Sequence, residues 1–218
     1  HDLIEALRGY SLVFTWEKNL VQRLLKDGVA ASFLPFGVDS TIYNANNHYE
    51  CSQCGSKHKV VFVGLYNSKR EKHVNAIKDH KVALWHFTWN RAGESLKRNH
   101  IIHKDSVFGS VCSGVYSSAD VSLNIVDDLN IPGHNMRSFE IPASGGIMVS
   151  IYTEEQESFF PEGEAAFYYR DPDELDDIIE RILDDKPGQT KIRENALRIA
   201  QDHTYVHRAT ELVGKVFG

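Results

Sequence analysis

The residues best suited to chemistry fall in three short stretches. The first is Gly64-Leu65-Tyr66-Asn67-Ser68-Lys69-Arg70, which joins a glycine, an amide and two cations. A bare glycine admits a ligand close to the backbone, and Asn67, Lys69 and Arg70 beside the free amides of a helix start suit a diphosphate. The same stretch also reads as a plain strand-to-helix turn with solvated first-turn cations. The second stretch is Asn124, which closes an apolar run before Asp127 and Asp128 and reads as a ligand-facing amide or as a turn former. The third runs from Pro132 to Gly146 and contains His134, Asn135, Met136, Arg137 and Glu140. Arg137 and Glu140 are three apart and so neighbour each other on one helical face. They read either as an ion pair ahead of a glycine C-cap, or as a cation for phosphate with a carboxylate for ribose hydroxyls.

These stretches need elements to position them, and the chain alternates strand-like runs with helical periodicity. Ser11 to Trp16, Ala31 to Leu34, Val60 to Val63, Val82 to Phe87, Val121 to Val126, Ile147 to Tyr152 and Ala165 to Tyr169 are rich in β-branched and aromatic residues. Between the first two, Leu20, Val21, Leu24 and Leu25 define one helical face and Gly28 stands as its C′ residue. Ser68 with Glu71, and Thr153 with Gln156, predict capping boxes. Asp171-Pro172-Asp173-Glu174 predicts another helix start, followed by Leu175, Ile178, Ile179, Ile182 and Leu183 on one face. Helices are expected from Lys191 to Asp202 and from about Tyr205. This order predicts an α/β fold with a mostly parallel, Rossmann-like sheet covered on both faces. In such sheets ligands sit beyond the carboxyl ends of the strands, where the three stretches fall.

Composition narrows the function classes. The 218 residues carry 24 basic and 30 acidic side chains, a net charge of −6, so a nucleic acid is not the expected main partner. No apolar run is long enough to predict a membrane-spanning helix. The first ten residues carry Asp2, Glu5 and Arg8 and do not read as a secretory leader. The sequence opens without Met in an amphipathic stretch with Leu3, Ile4 and Leu7, as expected of a piece of a longer polypeptide. Three cysteines make no disulfide framework and fit a reducing, cytoplasmic setting. Asn44 to Lys59 reads as a polar linker. Within it His48, Cys51, Cys54 and His58 have the ligand types for zinc, although free thiols are the expected state of such a pair. Trp85 and Trp89 are expected to pack at a strand end. A dinucleotide enzyme of Rossmann type is disfavoured, because Gly64 opens no Gly-x-Gly-x-x-Gly pattern.

Several blocks taken in order carry a resemblance. They are Phe62-Val63-Gly64 with Asn67-Ser68-Lys69-Arg70-Glu71, then Ser122-Leu123-Asn124-Ile125, then Asn135-Met136-Arg137-Ser138-Phe139-Glu140-Ile141-Pro142-Ala143-Ser144-Gly145-Gly146. Tyr152-Thr153-Glu154-Glu155, Tyr169-Arg170-Asp171 and His203-Thr204-Tyr205-Val206-His207-Arg208 follow. From Ser11 onward the chain resembles the CgeB-like (spore maturation protein-like) glycosyltransferases, relatives of the group 1 enzymes of GT-B fold. The resemblance implies a glycosyltransferase of hexosyl or deoxyhexosyl class that moves a sugar from a nucleotide-diphosphate donor to a glycan or protein-linked acceptor. It implies no cofactor and no required metal.

By the same resemblance, Glu140 contacts the donor ribose, while Arg137 and the Gly64 to Arg70 loop face the diphosphate. Asn124, His134, Asn135 and Met136 complete the expected donor side. Eight positions before Glu140, where group 1 enzymes carry a second Glu, stands Pro132. Residues 1–44 are expected to be the tail end of an N-terminal GT-B-like lobe, and 45–218 the nucleotide-sugar-binding, C-terminal lobe. The alternative is a non-catalytic nucleotide-sugar-binding module that depends on a partner domain, supplied as a further part of a longer chain.

Overall fold

The computed structural model describes residues 3–49 and 58–218. Its strands are β1 (Val13–Thr15), β2 (Ala31–Phe33), β3 (Val60–Val63), β4 (Val82–Trp85), β5 (Ile101–His103), β6 (Val121–Asn124), β7 (Met148–Ile151) and β8 (Phe167–Tyr169). Its helices are α1 (Leu3–Leu7), α2 (Lys18–Lys26), α3 (Ser68–Ala76), α4 (Glu94–Asn99), α5 (Gly109–Ser118), α6 (Arg137–Ala143), α7 (Glu154–Phe159), α8 (Leu175–Asp184), α9 (Lys186–Ala200) and α10 (Tyr205–Phe217).

Strands β3 to β8 form one parallel sheet in the order β5-β4-β3-β6-β7-β8. The chain works outward from β3 to β5 and then returns to the other side of β3 through β6. The order therefore reverses between β3 and β6, and the crevice at their carboxyl ends is the expected ligand position of such a sheet. Strands β3, β4 and β6 are buried at every residue; β3 and β4 accordingly read as unbroken apolar runs, while β6 also buries Ser122 and Asn124. Val60, Phe62, Leu84 and Leu123 pack on one face with Val74 of α3, Leu96 of α4 and the apolar stripe of α8. Val61, Val63, Ala83 and Trp85 pack on the other with Cys112 and Val115 of α5, Phe139 of α6 and Ala196 of α9. Full burial of one such aliphatic or aromatic side chain stabilises by about 1.5–3 kcal/mol, so these two layers dominate the fold.

The small parallel pair β1–β2, joined through α2, stands outside the six-stranded sheet. Gly28, at φ 74°, ends α2 as its C′ position requires. Helix α10 returns to this unit, with Arg208 Nε donating to the Phe36 carbonyl at 3.1 Å and Lys215 Nζ to the Phe33 carbonyl at 2.9 Å.

Several boundaries differ from the sequence reading. The box at Ser68 shifts by one residue: Asn67 is the cap, accepting from the Arg70 amide, and Glu71 turns to the Tyr66 hydroxyl and the Gly93 amide. The run from Val82 stops at Trp85 because His86 adopts φ 153° and the chain turns into a 3-10 segment, Phe87–Arg91. Strand β5 and helices α4 and α5 are additions to that reading. The Thr153 cap holds, accepting from the Gln156 amide, and Asp171 caps a short 3-10 turn that leads into α8. Residues 44–49 of the linker are turn and loop, tied down by the Asn44 amide on Ser113 Oγ. Cys51 and Cys54 of the possible zinc set lie outside the described residues.

Candidate functional site

Strand β3 delivers Gly64 to the crevice. Its amide donates to the Trp85 carbonyl at 3.1 Å, and its own carbonyl accepts from Trp89 Nε1 at 2.8 Å. A Cβ on Gly64 would stand 2.9 Å from Arg137 Nη2 and 3.0 Å from Phe62 Cζ. A side chain here would crowd the Arg137 guanidinium and, less movably, the edge of the buried Phe62 ring, so glycine keeps the close approach open. Arg137, the first residue of α6, is oriented by Nε donating to the Val63 carbonyl at 2.8 Å. It is not ion-paired with Glu140.

Arg70 approaches the same spot from the first turn of α3. Its guanidinium lies 5.6 Å from the Phe62 ring centroid and that of Arg137 5.9 Å from it, so one ring carries two cations. Arg70 is buried, Nη1 donates to the Leu65 carbonyl, and Nε has no partner. A buried donor left unmade costs free energy and marks a place where an acceptor fits. Burial first, and then the neighbouring Arg137 charge, push the Arg70 pKa down to about 10, while Asp127 opposes the shift. The two guanidiniums repel one another, and Asp127, 3.8 Å from Arg70 Nη2, offsets part of that repulsion. Asn67 braces the arrangement by donating from Nδ2 to Asp127 at 3.0 Å. Lys69, part-buried, pairs with the exposed Asp128.

Glu140 lies one helical turn from Arg137. Burial raises its carboxyl pKa, against the opposing pull of Arg137 and of the Tyr43 hydroxyl. Tyr43 comes from the segment that connects the small unit to the large one, and Tyr205 at the start of α10 also feels the Glu140 charge. The arrangement offers two cations, a bare glycine and one half-buried carboxylate within a single crevice.

The other expected site residues are placed differently. His134 is fully buried with both ring nitrogens engaged, Nδ1 with Glu155 and Nε2 accepting from the Phe36 amide at 3.0 Å. It fastens the small unit to the sheet, and no ring nitrogen is left for a ligand. Asn124 is likewise fully buried. Its Nδ2 donates to Gln156 Oε1 at 3.1 Å and to Ser138 Oγ at 3.2 Å, and its Oδ1 accepts from Asn135 Nδ2 at 3.0 Å. Both amides belong to a buried polar network that sets the start of α6. Met136 is exposed beside Arg137.

Three neighbours escaped the sequence reading: Tyr43, His86 and the role of Trp89 as the clamp on Gly64. His86 follows β4 directly and bonds Thr88 Oγ1, and that hydroxyl accepts from the Tyr66 amide. The rule of strand carboxyl ends could have singled it out. Nothing in the sequence points to Tyr43, which reaches Glu140 across the long interval between the two units.

Comparison with curated proteins gives no match. Among solved structures, HepE of Anabaena in complex with UDP and glucose is similar with a TM-score of 0.76 at 13% identity, over 98% of this chain and 65% of that one. A glycosyltransferase of Rickettsia africae ESF-5 is similar with a TM-score of 0.74 at 13% identity, over 96% and 63%. Sucrose-phosphate synthase of Thermosynechococcus elongatus gives 0.69 at 15%, over 98% and 59%. At these identities the likeness is one of fold, the GT-B glycosyltransferase fold, and the chain spans less than two thirds of each relative's length. The model of the glycosyl transferase-like family matches residues 69–214, from the first turn of α3 through most of α10. That match takes in Arg70, Arg137, Glu140 and most of the sheet around them, and on it the chain belongs to the glycosyl transferase-like family.

Proposed function

We propose that this chain binds a nucleotide-diphosphate sugar at the β3–β6 crevice and takes part in transferring the sugar to a glycan or protein-linked acceptor. The observation that carries this reading is the pair Arg70 and Arg137, converging on one aromatic ring beside Gly64 with the buried Arg70 Nε unmade. A diphosphate lying across Gly64 satisfies that donor and relieves the repulsion between the guanidiniums. Glu140 then accepts from the ribose hydroxyls. Negative charge that develops on the departing diphosphate is met by two fixed cations, a form of electrostatic stabilisation that proceeds without a metal ion.

The donor class is supported by HepE, whose structure holds UDP and glucose. The blocks from Asn135 to Gly146 and from His203 to Arg208 favour the CgeB-like branch and a hexosyl or deoxyhexosyl group. In this reading residues 1–44 form the edge of the acceptor-side lobe, 45–218 the donor lobe, and the reaction is cytoplasmic.

A thermal-shift screen against nucleotide sugars identifies the donor, because a ligand that binds only the native state raises its apparent stability. Calorimetry on two variants then tests the site. Glu140→Ala is expected to weaken the whole nucleotide by roughly 1–3 kcal/mol. Arg137→Ala is expected to weaken the sugar diphosphate far more than the bare nucleoside. Equal losses for both ligands in Arg137→Ala remove the phosphate role. Hydrolysis or transfer by the isolated chain separates an enzyme from a binding module.

A further inference from the structure

His86 leaves the sheet beside Gly64. Val63 of β3 is paired with Trp85 of β4, so the residues that follow the two strands emerge side by side at the carboxyl end of the sheet. Two bonds fasten the turn after β4 to the loop after β3. Trp89 Nε1 donates to the Gly64 carbonyl at 2.8 Å, and the Tyr66 amide donates to Thr88 Oγ1 at 2.8 Å. Within that turn His86 holds φ 153° and ψ 138°, and among the described residues it alone, apart from glycines, has a positive φ. A side chain in that region of backbone space costs free energy that glycine avoids, and strain of this kind collects at binding sites.

The partners of the ring fix its hydrogen. Nδ1 accepts from the Thr88 amide at 3.3 Å, so it bears no hydrogen itself. The Thr88 hydroxyl, which accepts from Tyr66, donates its own hydrogen to the same Nδ1 at 2.8 Å. A neutral imidazole with an accepting Nδ1 carries its hydrogen on Nε2. No partner among the described residues takes up that hydrogen. Burial, and after it the Arg70 charge, hold the His86 pKa below the ordinary histidine value, so the ring is neutral near neutral pH. The influence of Arg70 also sets the ring in range of the guanidinium that faces Arg137. A third cation would add to the repulsion already present there, whereas a neutral N–H adds a donor without adding charge.

We propose that His86 is a third contact for the diphosphate, donating from Nε2 to a phosphate oxygen that lies across Gly64. This role rests on the nucleotide-sugar reading of the crevice and extends its phosphate site from the two arginines to the carboxyl end of β4. The exposed Phe87 ring, stacked on the imidazole at 4.6 Å, steadies it from outside. The strained backbone at His86 is what turns the ring toward the glycine. A flat platform for a nucleobase would need neither the fixed tautomer nor the neighbouring cation.

Two variants of the full chain test this role. In His86→Asn, Oδ1 stands in the place of Nδ1 and keeps an acceptor for the Thr88 amide, but the side chain ends short of Nε2. His86→Gly removes the ring and relieves the backbone. Calorimetry is run with the uridine, guanosine, cytidine, adenosine and thymidine diphosphates, with the bare nucleosides and with inorganic pyrophosphate. Each variant is expected to bind the preferred diphosphate and pyrophosphate about tenfold more weakly and the nucleoside unchanged, because only a bond to phosphate is lost. Urea midpoints are expected to stay at or above the wild-type value. Unchanged diphosphate affinity in both folded variants overturns the role of His86. So does an equal loss on the nucleoside, or a fall in stability that parallels the fall in affinity. Failure of the donor reading shows instead in the wild type, as binding of none of the diphosphates.

Discussion

Gly64 shows how one absent side chain organises its surroundings. The volume a methyl group would take is filled by the Arg137 guanidinium and the edge of Phe62. The arginine tip can swing aside, but the buried ring cannot move freely. Gly64→Ala is therefore expected to lower stability by about 1–3 kcal/mol, as overpacking does. Its larger effect is expected on nucleotide-sugar affinity, through displacement of Arg137, and urea unfolding beside calorimetry separates the two. Native affinity in a folded Gly64→Ala chain would detach the glycine from the site. At this scale much was legible: Gly64, Arg70, Arg137 and Glu140 stand out by type and spacing, and the structure gathers them. His134 and Asn124 are tied into buried hydrogen bonds, and in sequence a polar residue at a strand end looks the same whether it faces a ligand or closes such a network. Tyr43 was invisible, since its link to Glu140 is made only in three dimensions.

Helix α3 carries Arg70 into place, and its start depends on Asn67. The side chain caps the Arg70 amide through its oxygen and holds Asp127 through its nitrogen. Asn67→Ala is expected to cost about 1 kcal/mol for the lost cap alone. Aspartate is normally an equal cap, yet here it would set a carboxylate against Asp127, so Asn67→Asp is expected to be less stable than Asn67→Ser. Equilibrium unfolding of the variants checks the order, and equal stability of the aspartate and serine forms would dismiss the link to Asp127. The same scale shows what the sequence conceals. The fully buried β3 and β4 announce themselves by unbroken apolar runs. Strand β5 does not, being three half-buried residues at the sheet edge. Helix α5, with Gly109, Gly114 and four serines, has the composition of a loop, and only packing of Val115 and Tyr116 against the sheet makes it a helix.

For the molecule as a whole, the buried His73 and the half-buried His203 set a pH limit. His73, bonded through Nδ1 to the Tyr169 hydroxyl, and His203, whose Nδ1 accepts from Arg208, are each lowered from 6.5 to about 4, chiefly by burial. The folded state thus takes up their protons less readily than the unfolded chain. Stability is full above pH 6.5 and is lost as pH falls from there through 4. Melting temperature is expected to be level near neutrality and to drop across that window, less steeply in a His73→Gln chain. An unchanged slope would take His73 out of the transition. The remaining consequence concerns the two places where the chain crosses between its small and large units. Val38 and Thr204 lie side by side there, with the Val38 amide on the His203 carbonyl and the Tyr205 amide on the Val38 carbonyl, both at 3.0 Å. A Cβ on Gly37 would come within 2.9 Å of the His203 oxygen, so the two passes touch main chain to main chain. The small unit is thus held to the start of α10 by main-chain bonds that leave no room for a side chain between them. Gly37→Ala drives a wedge between two stretches of backbone that cannot swing aside, and is expected to lower stability by about 1–3 kcal/mol; wild-type stability in equilibrium unfolding would show that the two passes can part without cost.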